Sequence, residues 1–193
     1  MKEIFDKQRE LNIFTLRNIG VDYHQVLNDP EQQAHWLENY RKALSAELAE
    51  WIHEVREFGP ETQNGVVEIV DMLHFLVSIS QVAGYEPPQF AIAAQNGATL
   101  EKCSVEMFLA LDDMQNSVKW KWWAKGGGFK PDAAKTAAAS LWTAFAGLCG
   151  FFRLDFDTLK RVYIEKNRIN FERQRNNYNE DTKTEADNRA IKI

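Results

Sequence analysis

Residues 66–79 read Val66-Val-Glu-Ile-Val-Asp-Met-Leu-His-Phe-Leu-Val-Ser-Ile79, and their pattern decides the fold. The polar members are Glu68, Asp71, His74 and Ser78, spaced three, three and four apart. On an α-helix that spacing gathers them into one narrow stripe along an otherwise apolar rod. A helix apolar on nearly every other face belongs inside a helical bundle. Two carboxylates carried into such an interior are costly unless a cation or strong donors meet them, so the stripe calls for a partner.

The preceding segment, Ala43-Leu-Ser-Ala-Glu-Leu-Ala-Glu-Trp51, supplies a second acidic pair, Glu47 and Glu50. Residues three apart share a helix face. If the two helices pack antiparallel through the short connection at 59–64, the pairs face one another and offer four carboxylates to a common centre. Hard oxygen donors of this kind suit Mg²⁺ or Mn²⁺, ions that keep positions open for water and phosphate oxygens. Zinc fits less well, because His74 is the one imidazole nearby. Each pair also has a plainer reading. A Glu-x-x-Glu on a helix serves as a solvated face, as Glu54 and Glu57 further along suggest, and a lone histidine on an apolar helix serves as a satisfied core residue.

Outward from this centre the chain reads as helices punctuated by glycine and proline, with no strand alternation, which predicts an all-α bundle of about six helices. A first helix spans roughly Ile4 to Arg17. Asp29 before Pro30, with Gln32 three residues after the aspartate, marks the start of a long helix that Gly59-Pro60 stops after Phe58. The acidic-stripe helix runs from about Asn64 to Ala83. A further helix is expected from Thr99 through the Trp-rich stretch to Lys125, another from near Pro131 to Gly150, and a last one capped by Asp155 and reaching about Arg175. Residues 1–178 form one domain on this reading, and the polar residues 179–193 a mobile tail.

Composition narrows the function classes. The 193 residues are 45% hydrophobic, enough for a real core, and 23 basic against 28 acidic residues leave a formal net charge of −5. That balance disfavours a nucleic-acid partner. Cys103 and Cys149 are too few for a disulfide framework or a cysteine zinc site, and a reducing cytoplasm is expected. The N-terminus has no signal-peptide pattern, and no uninterrupted apolar run suggests a membrane partner.

Three further groups stand out. Lys166, Asn170 and Arg173 fall four and three apart, a face suited to phosphate oxygens or, more plainly, a basic helix end offsetting the macrodipole. Gln8 and Asn12, four apart, put two amides on one face, where amides read a nucleobase edge or serve as ordinary surface. Lys119-Trp-Lys-Trp-Trp123 suggests base stacking, against which the acidic charge weighs, or core or dimer interface. Gly126-Gly-Gly128 lacks the Gly-Lys-Ser/Thr ending of a phosphate-binding loop.

Taken together, the residues resemble the dimeric dUTPase family of the all-α NTP pyrophosphatases, which is related to the T-even phage dCTPase/dUTPase type and to MazG-like enzymes. The resemblance rests on Glu47-x-x-Glu50, on Glu68-Ile-Val-Asp71-Met-Leu-His74-Phe75, and on Tyr163-x-x-Lys166-Asn167-x-x-Asn170-x-x-Arg173-Gln174-x-x-Asn177-Tyr178, with Gln8-x-x-x-Asn12 agreeing. It implies a homodimer in the cytoplasm of a bacterium or phage-infected cell that hydrolyses dUTP to dUMP and pyrophosphate with Mg²⁺, Mn²⁺ being an alternative. By the same resemblance Glu47, Glu50, Glu68 and Asp71 bind metal, and Glu47 or Glu50 also orients or deprotonates the attacking water. Lys166, Asn170, Arg173 and Tyr163 hold phosphates, Gln8 and Asn12 contact the base, and His74 reaches sugar or base. The sequence departs from the family in two places. The family's Trp-Lys-x-Trp lies between the acidic pairs, whereas here the tryptophan run follows both, and the closing Asn-Gly-Tyr reads Asn176-Asn177-Tyr178. Two other readings stay open: a related dCTP or broad-range NTP pyrophosphatase, and a catalytically silent helical interaction protein.

Overall fold

Apolar residues at helical spacing, and side-chain caps at most helix starts, divide the chain into seven helices and no strand among the described residues of a computed structural model, which are 1–92, 97–176 and 191. They are α1 (Lys2–Asn18), α2 (Tyr23–Asn28), α3 (Pro30–Phe58), α4 (Gln63–Ala83), α5 (Leu100–Asn116), α6 (Pro131–Phe151) and α7 (Phe156–Arg175). The cap signals work as the residue types dictate. Asp29 Oδ1 accepts from the Glu31 and Gln32 amides at 2.8 and 3.0 Å, ahead of Pro30 at the first helical position. Asp155 Oδ1 accepts from the Thr158 amide at 2.8 Å, and Thr62 Oγ1 from the Gly65 amide at 2.9 Å. Gly84 ends α4 in the left-handed conformation, with φ of 66°, which a side chain would resist.

Helix α4 is the axis of the bundle and is buried along almost its whole length. It is long and apolar enough to cross a membrane, yet that surface is spent on its neighbours inside the protein. Helix α3 packs along it through the short 59–62 turn, as the spacing of the acidic pairs requires. Helix α6 covers another side of α4, α5 packs on α6 and α3, and α1 pairs with α7, both of them resting on α4. Trp51, Phe145, Tyr163, Ile69, Met72 and Leu73 are among the large side chains fully removed from water, each worth about 1.5–3 kcal/mol in transfer free energy. Gly65 marks the tightest approach: a Cβ there would lie 2.5 Å from Phe152 Cζ and 2.8 Å from Thr62 Oγ1.

Two expectations about elements are corrected. The helix expected to run to Lys125 ends at Asn116. Val118 turns into the core, the Ser117 carbonyl accepts the Lys130 amide at 2.8 Å, and Lys130 Nζ donates to the Asn116 carbonyl, so the chain folds back rather than continuing. Trp120, Trp122 and Trp123 consequently sit in a loop, at 36%, 83% and 62% exposure, outside the core. Helix α2 was not anticipated, because six residues are too short to display a period. Its Asp22 cap accepts from the His24 amide at 2.9 Å and its Tyr23 and Val26 are buried. The tail 179–193 lies outside the described residues except for Ile191, which is buried and whose carbonyl accepts from Gln63 Nε2. Asn177 and Tyr178 also lie outside them.

Candidate active site

Four helices contribute to one cavity of about 300 Å³. Helix α1 supplies Gln8 and Asn12, α3 supplies Glu47, α4 supplies Asp71, His74 and Ser78, and α7 supplies Lys166, Asn170 and Arg173. Three of the four residues of the α4 polar stripe, all but Glu68, therefore face the cavity, and the amides of α1 and the basic face of α7 reach it as well. Both amides are buried rather than surface groups.

Glu47 links this cavity to a carboxylate cluster. Oxygens of Glu47, Glu50 and Glu68 lie within 4.8 Å of one another, with Glu68 buried, Glu47 half-buried and Glu50 exposed. Burial, reinforced by Asp71, Glu50 and Glu68, pushes the Glu47 carboxyl up to about 8. Burial, with Asp71 and Glu50, pushes Glu68 up to about 7, against the Asn64 amide that donates to its Oε1 at 2.9 Å. Carboxylates held this close, with pKa values this far displaced, are short of positive charge. Three hard oxygens with one side open to water are the donor set that Mg²⁺ or Mn²⁺ takes, so these residues fit a divalent ion.

Asp71 is engaged differently. Its Oδ2 accepts from Lys166 Nζ at 2.6 Å, and the lysine head is nearly fully buried. The face of α7 read as phosphate-binding thus delivers one of its cations directly to the acidic stripe, while Asn170 and Arg173 line the cavity beyond it.

His74 is neutral. Burial pushes its imidazole down to about 4, and Nδ1 lies 2.8 Å from the Val70 carbonyl, which can only accept. The proton is therefore on Nδ1, leaving Nε2 as a bare acceptor with no partner among the described residues. Tyr163 stands behind this wall rather than in it. Its ring stacks on His74 at 4.3 Å and its hydroxyl donates to Gln8 Oε1 at 2.7 Å, while it does not line the cavity. The structure thus brings Gln8, Asn12, His74, Glu47, Asp71, Lys166, Asn170 and Arg173 to one cavity, sets Glu50 and Glu68 beside Glu47, and leaves Tyr163 buried.

Sequence reasoning gave no role to Trp36, Tyr40 or Phe75, which also line the cavity. The signal was present: 36, 40 and 47 are four and seven apart, one face of α3. The Trp36 indole N–H is buried with no partner among the described residues, and the same holds for Nε2 of His74, so among those residues the wall carries an unpaired donor and an unpaired acceptor. The displaced Lys119–Trp123 run contributes nothing to this cavity. It borders a separate groove with His35, Glu38, Asn39 and Lys42 on α3.

Against known families, residues 1–178 match the family model described as dUTPase. No curated protein and no solved structure matches the chain.

Proposed function

The chain belongs to the dUTPase family of nucleoside triphosphate pyrophosphohydrolases, and from that premise we propose that it hydrolyses dUTP to dUMP and pyrophosphate with Mg²⁺, or Mn²⁺ in its place. The observation that carries the proposal is Glu47, which belongs at once to the carboxylate cluster and to a cavity lined by amides, a neutral imidazole and cationic side chains. Glu47, Glu50 and Glu68 would hold the ion, with Asp71 reaching it once Lys166 turns to phosphate. Bound there, a divalent ion supplies charge neutralisation for adjacent phosphates and lowers the pKa of water.

The chain's own residues do the rest. Glu47, the carboxylate on the cavity wall, orients the attacking water and accepts its proton, with Glu50 beside it as a further acceptor. Lys166, Asn170 and Arg173 hold phosphate oxygens by charge-assisted hydrogen bonds. Gln8 and Asn12 meet the base edge, and His74 Nε2 accepts from a donor on sugar or base. Tyr163, buried behind the wall, fixes the His74 ring and Gln8 and so acts on the sugar and base side of the site rather than on phosphate. The molecule works as a homodimer in the cytoplasm. The dimer is supported by Val105, Phe108 and Leu109, exposed on one face of α5, and the reducing compartment by two buried free cysteines.

The test is pyrophosphate release from dUTP, dCTP, dTTP and dATP, with and without Mg²⁺, for the wild type beside Glu47→Gln and Asp71→Asn. Metal-dependent turnover of dUTP ahead of the others, lost in both variants, is the expected result. No release from any nucleotide would overturn the proposal.

A further inference from the structure

The amides that meet the base carry a directional problem. A carboxamide rotated by half a turn exchanges its oxygen and its NH₂, and the two orientations read opposite edges. Uracil presents an oxygen at C4 and an N–H at N3, while cytosine presents an amino group and a bare nitrogen there. An amide free to turn serves both. One held in a single orientation serves one.

In this protein the orientation is fixed from outside the cavity. Gln81, buried on α4 and not part of the cavity wall, donates from Nε2 to the Phe5 backbone carbonyl at 2.8 Å. A carbonyl only accepts, so the NH₂ of Gln81 must face it and its Oε1 must face the other way. That oxygen accepts from the Tyr23 hydroxyl at 2.5 Å and from Asn12 Nδ2 at 3.2 Å. Asn12 must therefore turn its NH₂ toward Gln81, which leaves its Oδ1 to accept from Gln8 Nε2 at 2.9 Å. Gln8 is then left with Oε1 facing the Tyr163 hydroxyl. Turning Asn12 alone would set its oxygen against the oxygen of Gln81 and its NH₂ against that of Gln8, in a buried setting where unsatisfied polar groups are costly. Ser78, which both amides touch through Nδ2 at 3.0 Å and Nε2 at 3.1 Å, does not choose an orientation, because a hydroxyl both donates and accepts.

We propose that Gln81 is a positioning residue for substrate specificity: anchored on the Phe5 carbonyl, it holds Asn12 and Gln8 in one orientation and so makes the site select one pyrimidine over the other, which on the dUTP reading is uracil over cytosine. This rests on the dUTP reading above and adds a residue outside the cavity to it.

The experiment compares kcat/KM for dUTP and dCTP in the full-length wild type, Gln81→Met and Tyr23→Phe. Gln81→Met removes the anchor. Tyr23→Phe removes a buried hydrogen bond of the same network while the Gln81 anchor stays, and it controls for general loosening. The expected result is a dUTP:dCTP ratio that falls at least tenfold in Gln81→Met and stays near the wild-type value in Tyr23→Phe. An unchanged ratio in Gln81→Met, or an equal fall in both variants, overturns the positioning role. A wild type that turns over neither nucleotide, or favours dCTP, overturns the dUTP reading itself and is seen without any variant. Should Gln81→Met not fold, side-chain amide exchange in the wild type decides. Slow exchange of the Gln81 and Asn12 NH₂ protons is expected, and exchange as fast as that of exposed amides overturns the anchor.

Discussion

Metal-free protein should lose stability as the pH rises from 6.5 to 8, and a divalent ion should return it. The Glu47 carboxyl, about 8 when folded, and Glu68, about 7, both stand above the 4.5 of an ordinary glutamate. A carboxyl whose folded value is raised binds its proton more tightly in the native state. Its stabilising contribution is therefore complete below pH 4.5 and is lost as the pH climbs through 7 and 8. Integrated over the window from 6.5 to 8, the two groups together remove about 2 kcal/mol, at about 1.4 kcal/mol for each unit. For a chain of this length that is a fall of about 4–8 °C in melting temperature.

Other groups contribute little in this window. His74, pushed down to about 4, works in the opposite sense: its contribution is lost as the pH falls from above 6.5 toward 4, and its completion between 6.5 and 8 offsets only about 0.4 kcal/mol of the fall. The cysteines, both raised by burial, matter only above the window. The assay is thermal unfolding in chelator at the two pH values, for the wild type and for Glu47→Gln/Glu68→Gln, repeated with Mg²⁺ or Mn²⁺. The fall should be absent in the double variant. Added ion should raise the wild-type melting temperature more at pH 8 than at 6.5, because it binds the deprotonated cluster and competes with protons. A melting temperature that is flat or rises across the window, or falls equally in the double variant, would refute the reasoning.

Lys166→Met should lower stability by about 3 kcal/mol in chemical denaturation, since it strands Asp71 among other carboxylates. Adding Asp71→Asn should recover most of that loss, whereas nucleotide turnover stays lost in both; a double variant no more stable than the single one would speak against the ion pair. Gly65→Ala should cost about 1–3 kcal/mol, because its methyl would meet Phe152 and Thr62, and pairing it with Phe152→Leu should lessen the cost. Trp122→Ser should move the melting temperature by less than about 2 °C, its ring being largely exposed, and leave kcat/KM for dUTP intact; a loss of turnover would bring the tryptophan loop into the site.

What the sequence makes legible here is whatever a helix period carries. Residues 66–79 announced a buried rod with a polar stripe, Asp29 and Asp155 announced helix starts, and the pairs 47/50 and 68/71 announced facing acids, because each is a relation within about one turn. The six residues of α2 and the end of α5 at Asn116 escaped for want of a period. The first is too short to show one, and the second is decided by Val118 and Lys130 folding back. Gln81 escaped for a different reason: its importance lies in a carbonyl 76 residues away.

The acids and bases show where that boundary falls. Spacing placed Asp71 on a buried stripe that called for a cation or strong donors, and Lys166 on a basic face suited to phosphate or to the helix macrodipole, without joining one to the other. The fold joins the two across 95 residues, so the buried Lys166 ammonium already answers part of the negative charge. It also lowers Glu47 and Glu68, yet both remain raised, so one lysine does not balance the acids around it. That remaining imbalance leaves room for a cation at the acids that spacing grouped together, while the sequence does not say which of them a lysine has already claimed.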